Sequence, residues 1–144
     1  MLAGLLALII AAGFSGAALY VNFAEQPARL ALNDQMLLSE WKPAYKRGTV
    51  MQAPLTVIGC LLGLVAWWQT REWGFVLGAL AMIANVPWTF LAIFPTNHAL
   101  MATEIAAADP KTRELVLGWG KLHAVRTALG FIATLAFLWA LISL

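Results

Sequence analysis

Four polar or aromatic side chains open the last apolar stretch of the chain, and their types suit acid–base chemistry. In order they are Trp119, His123, Arg126 and Thr127. Their spacing places all of them on one face of a helix. A histidine exchanges a proton near neutral pH, and an arginine one turn deeper offers a fixed positive fork to an anion or an enolate. The alternative is a basic helix end that contacts lipid headgroups.

A carboxylate lies at the end of the first apolar stretch. Glu25 follows Asn22 by three residues and precedes Arg29 by four, so a helix places the three side chains on one face. Glu25 is therefore a candidate general base, or the counter-ion of Arg126. A structural salt bridge, for example with Arg29, explains the same spacing equally well.

Amide and hydroxyl groups interrupt the two middle stretches. A polar stripe enters the second stretch and consists of Tyr45, Thr49, Gln52 and Thr56. In the third stretch Asn85 lies near mid-membrane, and Pro87 predicts a kink that frees the carbonyl of Ile83. Polar groups at this depth are costly, which makes them candidates for function. We expect the whole polar stripe to face the bundle interior, and Trp41 to anchor the chain at the membrane interface.

The motif after the third stretch contains Asn97, between Pro95 and His98. Asn97 either caps a following helix or donates its amide to a substrate carbonyl. His98 and His123 are weak metal candidates, because no histidine cluster and no carboxylate pair of di-iron spacing accompanies them. No metal or organic cofactor is predicted, although haem or copper stays an alternative. Cys60 lies in an apolar run and is the only cysteine.

Composition indicates that these residues belong to a lipid-embedded chain. Of 144 residues, 62% are hydrophobic and 11% are charged, whereas a soluble domain needs roughly 25% charged residues. Four apolar stretches, at 1–24, 50–68, 73–94 and 119–144, match the ~20 residues that cross a bilayer. No positive residue precedes the first stretch, which favours a retained helix over a signal peptide. The net charge of +2 does not indicate nucleic-acid binding.

The connections between the stretches predict the topology. A tight hairpin at 69–72 joins the second and third stretches, whereas the links at 25–49 and 95–118 are long and carry helical signals. We expect helical extensions or short surface helices there. Seven Lys and Arg residues lie in or beside the long links, against Arg71 alone on the other side. The positive-inside rule then puts the long links in the cytoplasm and both termini outside.

The predicted fold is all-α: an up-down bundle of four transmembrane helices, with short extra helical segments in the two long links and a single domain over 1–144. Seven glycines are expected to allow close helix contacts, namely Gly13, Gly16, Gly59, Gly63, Gly74, Gly78 and Gly130. The lipid bilayer and a hydrophobic small molecule are the expected partners. A homo-oligomer with a site between subunits stays open.

Taken together, the polar motifs resemble the anthrone oxygenase-like family of small membrane proteins. The segments that carry the resemblance are Glu25-Gln26-Pro27-Ala28-Arg29, Trp41-Lys42-Pro43-Ala44-Tyr45-Lys46-Arg47-Gly48 leading to Gln52, Pro95-Thr96-Asn97-His98-Ala99-Leu100, and Trp119 through Thr127. They follow in the right order over nearly the whole chain, although Gln26 and His98 depart from the family pattern. The resemblance implies four transmembrane helices. It also implies oxidation of an anthrone to an anthraquinone with molecular oxygen, without an obvious organic cofactor.

Carried over by motif, the resemblance implies a site that consists of Glu25, Tyr45, Asn97, Trp119, His123 and Arg126. The expected function is an oxidase or oxygenase, specifically a monooxygenase, that acts on an anthrone- or phenol-like substrate. His123 would remove the benzylic proton, and Arg126 and Asn97 would stabilise the enolate oxygen. Trp119 and Tyr45 would stack on the rings.

Two other functions stay open. One is a haem- or quinone-binding redox subunit of a membrane assembly. The other is a small transporter or carrier without catalysis, for which Asn85 and the kinked third stretch would form the site. As an oxygenase, the chain would use Gln52 and Asn85 for substrate binding. The oxygenase interpretation requires that Glu25, Asn97 and the His123 face meet in one pocket at the cytoplasmic rim.

Overall fold

Four long helices form the whole molecule. The computed structural model describes all 144 residues. Helix α1 spans Leu2–Leu30, α2 Asp34–Thr70, α3 Gly74–Ala102 and α4 Pro110–Ile142, and each is long and apolar enough to cross a membrane. Each helix packs against its two neighbours around a square, with α1 against α2 and α4, and α3 against the same pair. The prediction of an all-α four-helix bundle is confirmed.

The two long links are mostly continuations of the helices. The chain leaves helical geometry only at 31–33, at 71–73 and at 103–109, where a short 3-10 turn covers Ile105–Ala107. Helix α2 has 37 residues and α4 has 33. At about 1.5 Å per residue, both are longer than the roughly 30 Å hydrocarbon core of a bilayer. Their excess length lies at the end of the bundle that carries the turns 31–33 and 103–109, which we call the link end.

Two helices change their winding near the link end. Helix α1 is π-helical over Val21–Glu25, and α3 is π-helical over Thr89–Ile93. A proline follows each segment closely, Pro27 in α1 and Pro95 in α3. A proline cannot donate the regular helical hydrogen bond, so the wider turn accommodates the missing bond. Helix α3 stays α-helical through Pro87 to Trp88, and the kink expected at Pro87 stays a prediction.

Side chains from the long helices close the link end. Lys42 of α2 donates to the main-chain oxygens of Met101 and Thr103 at 3.1 and 2.5 Å. Arg113 of α4 does the same for Leu30 and Leu32, at 2.8 and 2.5 Å. These carbonyls lie at the ends of α3 and α1, where no helical partner is left for them. The cations therefore tie each long helix to the end of the helix beside it.

A capping box starts α4. Asp109 accepts from the N–H of Thr112 at 2.9 Å, and the Thr112 hydroxyl accepts from the N–H of Asp109 at 3.2 Å. The hydrogen bonds from Thr112 hold the pKa of the Asp109 carboxyl below its usual value. The ionised carboxylate of Asp109 therefore stabilises the folded protein fully at pH values above the pKa of an unfolded aspartate. This stabilisation is lost as the pH falls through the lowered pKa of Asp109 in the folded protein.

Glycines let aromatic side chains enter the helix contacts. The ring of Phe137 in α4 fits between Gly63 of α2 and Gly78 of α3, and a Cβ at Gly63 would lie 2.8 Å from the ring. Equally little room is left at Gly59, Gly74 and Gly130. Gly13 and Gly16 face open space. The expectation of close contacts is wrong for these two glycines, because they lie on the outer face of α1.

Two apolar clusters lie above and below the middle of the bundle. The cluster toward the termini includes Phe14, Phe75 and Phe137. The cluster at the link end includes Trp41 and Trp119. Trp41 is fully buried, so the expectation that it anchors the chain at the membrane interface is wrong. The extension of α2 beyond its predicted start brings Trp41 into the bundle, where aromatic neighbours replace lipid.

Candidate functional site

A cavity of about 310 Å³ lies between the two apolar clusters and takes side chains from all four helices. The structure brings all eight predicted site residues to its wall. They are Glu25, Tyr45, Gln52, Asn85, Asn97, Trp119, His123 and Arg126. Most of the remaining wall is aliphatic or aromatic. The cavity thus has the composition of a binding site for a hydrophobic small molecule with a few polar groups.

His123 is almost completely buried, and a side chain of α1 is hydrogen-bonded to it. Its Nδ1 lies 2.8 Å from Oδ1 of Asn22, and its Nε2 has no protein partner. The same oxygen of Asn22 accepts from the hydroxyl of Thr127 at 2.8 Å. The amide nitrogen of Asn22 donates to the main-chain oxygen of Gly120 at 2.8 Å. The role of Asn22 was not predicted, although it shares the helix face of Glu25.

Arg126 contributes a positive charge to the cavity without a carboxylate beside it. No salt bridge involves Arg126, and its Nε has no hydrogen-bond partner. The guanidinium carbon lies 5.5 Å from the centroid of the Phe14 ring. A half-buried cation without a counter-ion attracts an anionic or strongly polarised ligand oxygen.

Glu25 pairs with Arg29 and not with Arg126. The distance from Glu25 Oε1 to Arg29 Nη2 is 2.8 Å, and Glu40 approaches Arg29 Nε to 2.7 Å. Arg29 is 2% exposed and also donates to Gln26 at 3.2 Å. Two carboxylates thus surround one buried arginine. The alternative left open by the spacing, a salt bridge with Arg29, is the one that the structure contains.

Asn97 connects α3 to α4. Its Oδ1 accepts from the indole N–H of Trp119 at 2.9 Å, while its amide N–H₂ has no protein partner. The alternative role as a helix cap is wrong, because the chain is helical on both sides of Asn97, over Gly74–Ala102. The amide therefore remains free to donate to a molecule in the cavity.

Asn85 and Gln52 lie at the deeper part of the wall. The amide of Asn85 donates to the carbonyls of Ala81 and Met82, at 3.2 and 3.1 Å, so it bonds the turn before its own and not the carbonyl of Ile83. Gln52 is 2% exposed, and its Oε1 has no partner. A buried amide oxygen without a hydrogen-bond partner, such as that of Gln52, costs free energy unless a ligand or a water molecule supplies a donor.

Aromatic rings form the wall at the link end. Tyr45 stacks on Trp41 with the ring centroids 4.9 Å apart, and Trp41 meets Trp119 edge to face at 5.8 Å. The Trp119 ring lies 5.0 Å from that of His123. Trp119 and Tyr45 line the cavity, whereas Trp41 supports them from behind. Tyr45 is parallel to Trp41, with 5° between the ring planes, and Trp41 stands at 89° to Trp119, so the two rings that line the cavity lie nearly at a right angle to each other.

The cavity opens sideways between α2 and α3. Ala53 and Val57 of α2 and Phe90 of α3 line the cavity and are also exposed on the outer surface. All three side chains are apolar. The opening thus lies on an apolar part of helices that are long and apolar enough to cross a membrane.

The two histidines are not brought together. His98 is exposed and packs on Phe94 with the ring centroids 4.4 Å apart, and it does not line the cavity. His123 is buried in the cavity wall. The chain contains no group of three His, Cys, Asp or Glu side chains that could hold a metal ion. A metal or haem held between His98 and His123 therefore does not fit the arrangement.

Fold and cavity define a class: a four-helix membrane-type bundle with an apolar, laterally open site that carries one histidine and one unpaired arginine. Residues 41–136 match the family model described as anthrone oxygenase. The chain belongs to the anthrone oxygenase family, and the resemblance of its motifs is thereby confirmed.

Individual relatives agree with the family match. The chain is 32% identical over 131 residues to the anthrone oxygenase tpcL of Aspergillus fumigatus, covering 84% of this chain and 81% of that protein. An anthrone oxygenase of Claviceps purpurea is 32% identical over 129 residues, covering 80% and 74%. The anthrone oxygenase nsrD of Aspergillus novofumigatus is 31% identical over 100 residues, covering 63% and 62%. No solved structure matches the chain.

Proposed function

We propose that this protein oxidises a hydrophobic, anthrone-like aromatic ketone with dioxygen, inside the bundle. One observation carries the proposal: His123 and Arg126 line the same apolar cavity. The Nε2 of His123 has no protein partner there, and Arg126 has no counter-ion. The names of the relatives support the substrate class. The composition of the cavity wall supports it independently, since the wall is mostly apolar and includes the aromatic rings of Tyr45 and Trp119.

The first step is removal of a benzylic proton. His123 accepts this proton at Nε2, and the electron pair of the broken C–H bond moves into the rings and onto the ketone oxygen. Arg126 and the free amide of Asn97 donate hydrogen bonds to the developing enolate oxygen. In a cavity that excludes most water, such donors stabilise the negative charge strongly, because little competing solvent screens them.

Dioxygen then oxidises the enolate carbon. The carbanion transfers one electron to dioxygen, and the two radicals combine to form a carbon–oxygen bond and a peroxide, which takes the proton from the His123 imidazolium. His123 then removes the second benzylic hydrogen as a proton while the C=O bond forms and the oxygen–oxygen bond breaks. The departing hydroxide takes this proton from the His123 imidazolium and leaves as water. In total, one substrate and one dioxygen give one quinone and one water, which is the balance of a monooxygenation.

The proposal is tested with the purified protein in lipid nanodiscs, supplied with an anthrone under air. Quinone absorbance and oxygen uptake are followed together, and we expect them to rise one to one. His123→Gln should abolish turnover, since a general base contributes about 10²- to 10⁴-fold. His98→Gln is the matched control, because His98 lies outside the cavity, and it should keep full activity. Turnover retained in His123→Gln would overturn the proposed mechanism.

The other two functions make different demands on the same bundle. A haem-binding subunit would show a Soret band in the absorbance spectrum of the purified protein, and we expect none. A transporter needs a polar path to the termini side. On that side the cavity meets the buried rings of Phe14, Phe75 and Phe137. No contact in the structure favours transport over the oxygenase.

A further inference from the structure

We propose that Asn22 is a positioning residue for His123, which keeps the imidazole in its Nδ1–H tautomer so that Nε2 faces the cavity as the base. The consequence for turnover rests on the proposed function. The tautomer itself can be measured without any substrate, so the two proposals can fail separately.

The hydrogen bonds of Asn22 determine which of its two amide atoms faces the histidine. One amide atom lies 2.8 Å from the main-chain oxygen of Gly120, and a carbonyl can only accept, so this atom is the N–H₂ group. The other atom is then Oδ1, and it lies 2.8 Å from His123 Nδ1. A carbonyl oxygen cannot donate, so Nδ1 must carry the hydrogen.

A second donor prevents the amide from turning over. The hydroxyl of Thr127 donates to the same Oδ1 at 2.8 Å, so both lone pairs of this oxygen are used. A rotated amide would set its oxygen against the carbonyl of Gly120 and its N–H₂ group against Nδ1. The half-buried Asn22 is therefore held in one orientation by three partners on α4.

The tautomer decides whether His123 can act as a base in this cavity. A neutral imidazole has one protonated nitrogen and one nitrogen with a free lone pair. Asn22 occupies the Nδ1 side, and Nε2 has no protein partner. With the hydrogen on Nδ1, the lone pair belongs to Nε2. In water, free histidine favours the opposite tautomer, so loss of Asn22 should move the hydrogen to Nε2 and remove the lone pair from the reactive side.

The position of Asn22 in the chain fits a functional constraint on α1. Asn22 lies in the π-helical segment Val21–Glu25, and such wide turns inside α-helices occur frequently at functional sites. The segment also contains Glu25, which lines the cavity. The π-helical segment of α1 thus lies beside the candidate site, where α1 contacts α4 directly.

Magnetic resonance measures the tautomer directly. The protein is prepared in nanodiscs with isotope-labelled histidine, and a long-range proton–nitrogen correlation spectrum separates protonated from unprotonated ring nitrogens. The chain has two histidines, so the exposed His98 is an internal control and His98→Gln assigns its signals. We expect the His123 hydrogen on Nδ1 in the unmodified protein. A hydrogen on Nε2 would overturn the inference without any variant.

Variants of Asn22 extend the test. Asn22→Ala should move His123 to the Nε2–H form or to a mixture and leave the His98 signals unchanged. Asn22→Asp should keep the hydrogen on Nδ1, because a carboxylate oxygen also accepts. Thr134→Val is the matched control: it removes a hydroxyl hydrogen bond of 3.0 Å between α4 and Ser15 of α1, away from the cavity. An unchanged His123 tautomer in Asn22→Ala would contradict the proposal.

Turnover provides the second readout. Asn22→Ala should lower kcat by about 10- to 100-fold, part of the 10²- to 10⁴-fold effect of a general base, with KM changed by less than about twofold. Thr134→Val should leave kcat unchanged. If the tautomer shifts as expected but the unmodified protein oxidises no anthrone, the proposed function fails and the role of Asn22 stands. If kcat stays constant while the tautomer shifts, His123 is not the base through Nε2, and the proposal is overturned.

Discussion

The two arginines of the cavity differ in their neighbours. Arg29 is surrounded by Glu25 and Glu40, so its charge is neutralised within the protein. Arg126 lines the same cavity without a carboxylate partner. Burying a charge costs free energy, and an ion pair offsets that cost for Arg29 only. Under the proposed function, Arg126 is therefore the group that would stabilise an anionic transition state, whereas Arg29 is neutralised within the protein.

Substitution of Arg126 should separate activity from stability. We expect Arg126→Gln to lower kcat/KM by about 10²- to 10³-fold, because it removes a donor to the enolate oxygen. Its melting temperature should not fall, since the change also removes a half-buried charge that has no counter-ion. Arg47→Gln, an exposed arginine of α2, is the control and should change neither quantity. Full activity in Arg126→Gln would exclude Arg126 from the chemistry.

Arg29 should show the opposite behaviour. Arg29→Gln leaves the carboxylates of Glu25 and Glu40 facing each other without a cation, and like charges at short distance repel. Both carboxylates are partly exposed, so we expect a loss of about 1–3 kcal/mol in the free energy of unfolding, less than for a fully buried pair. Denaturant titration in detergent measures it. A variant as stable as the unmodified protein would show that the cluster contributes nothing to the fold.

Among the helices, the spacing between neighbours depends on where glycine faces an aromatic ring. Phe137 fits between α2 and α3 because Gly63 and Gly78 have no side chain there. In a membrane, helix association depends on such close packing, since lipid tails are as apolar as the helix surface. The contacts keep α2 and α3 at the separation that leaves the cavity nearer the link end.

A methyl group at one of these glycines should disturb the bundle. Gly78→Ala places a Cβ against the fully buried ring of Phe137, and we expect a loss of about 1–3 kcal/mol through overpacking. Gly16→Ala is the matched control, because a Cβ there meets nothing within 4 Å. Thermal unfolding in detergent compares them. Equal melting temperatures for the two variants would contradict the packing described for Phe137.

At the scale of the whole molecule, most buried polar side chains lie around the cavity and toward the link end, whereas Phe14, Phe75 and Phe137 pack toward the termini. The cavity meets the outer surface between α2 and α3, where Ala53, Val57 and Phe90 line it and are exposed. For the proposed hydrophobic substrate, which would concentrate in the bilayer, this lateral opening would be a short path to His123.

Closing the lateral opening should slow substrate entry. Val57→Trp places a large ring at the mouth of the cavity, and we expect a lower kcat/KM at low substrate concentration. Val65→Trp is the matched control: both valines lie on α2, with 44% and 47% of their surface exposed, but Val65 does not line the cavity. Initial rates over a range of anthrone concentrations measure the difference. Identical rates in the two variants would exclude entry between α2 and α3.

The orientation in the membrane follows from the charge distribution and stays a prediction. With Cys60 replaced by serine, single cysteines at Gln69 and Lys111 report on opposite ends of the bundle. We expect a membrane-impermeant maleimide to label Gln69→Cys on intact cells and Lys111→Cys only after permeabilisation, since the positive-inside rule puts the long links in the cytoplasm. The reverse pattern would invert the topology and leave the fold as described.

The sequence determined the number of helices and the faces that carry polar groups. Hydropathy and helical spacing are local properties, and both can be counted along the chain. For that reason the four spans, the face with Trp119 and His123, and the polar stripe with Gln52 were predictable. The whole stripe was expected to face the bundle interior. Gln52 and Thr56 are buried, but the expectation is wrong for Thr49, which lies at the edge of the cavity and is exposed.

Only the tertiary structure decided which of these groups meet. Glu25 pairs with Arg29 rather than Arg126, and Asn22 reaches His123 across 101 positions of the chain. Such partners depend on the rotation and depth of neighbouring helices, which are set by close packing at glycines and by the wide turn in α1. Spacing along one helix contains no information about the helix beside it. The physical reason is that hydrophobic burial is non-directional, whereas hydrogen bonds and ion pairs require a defined distance between two elements.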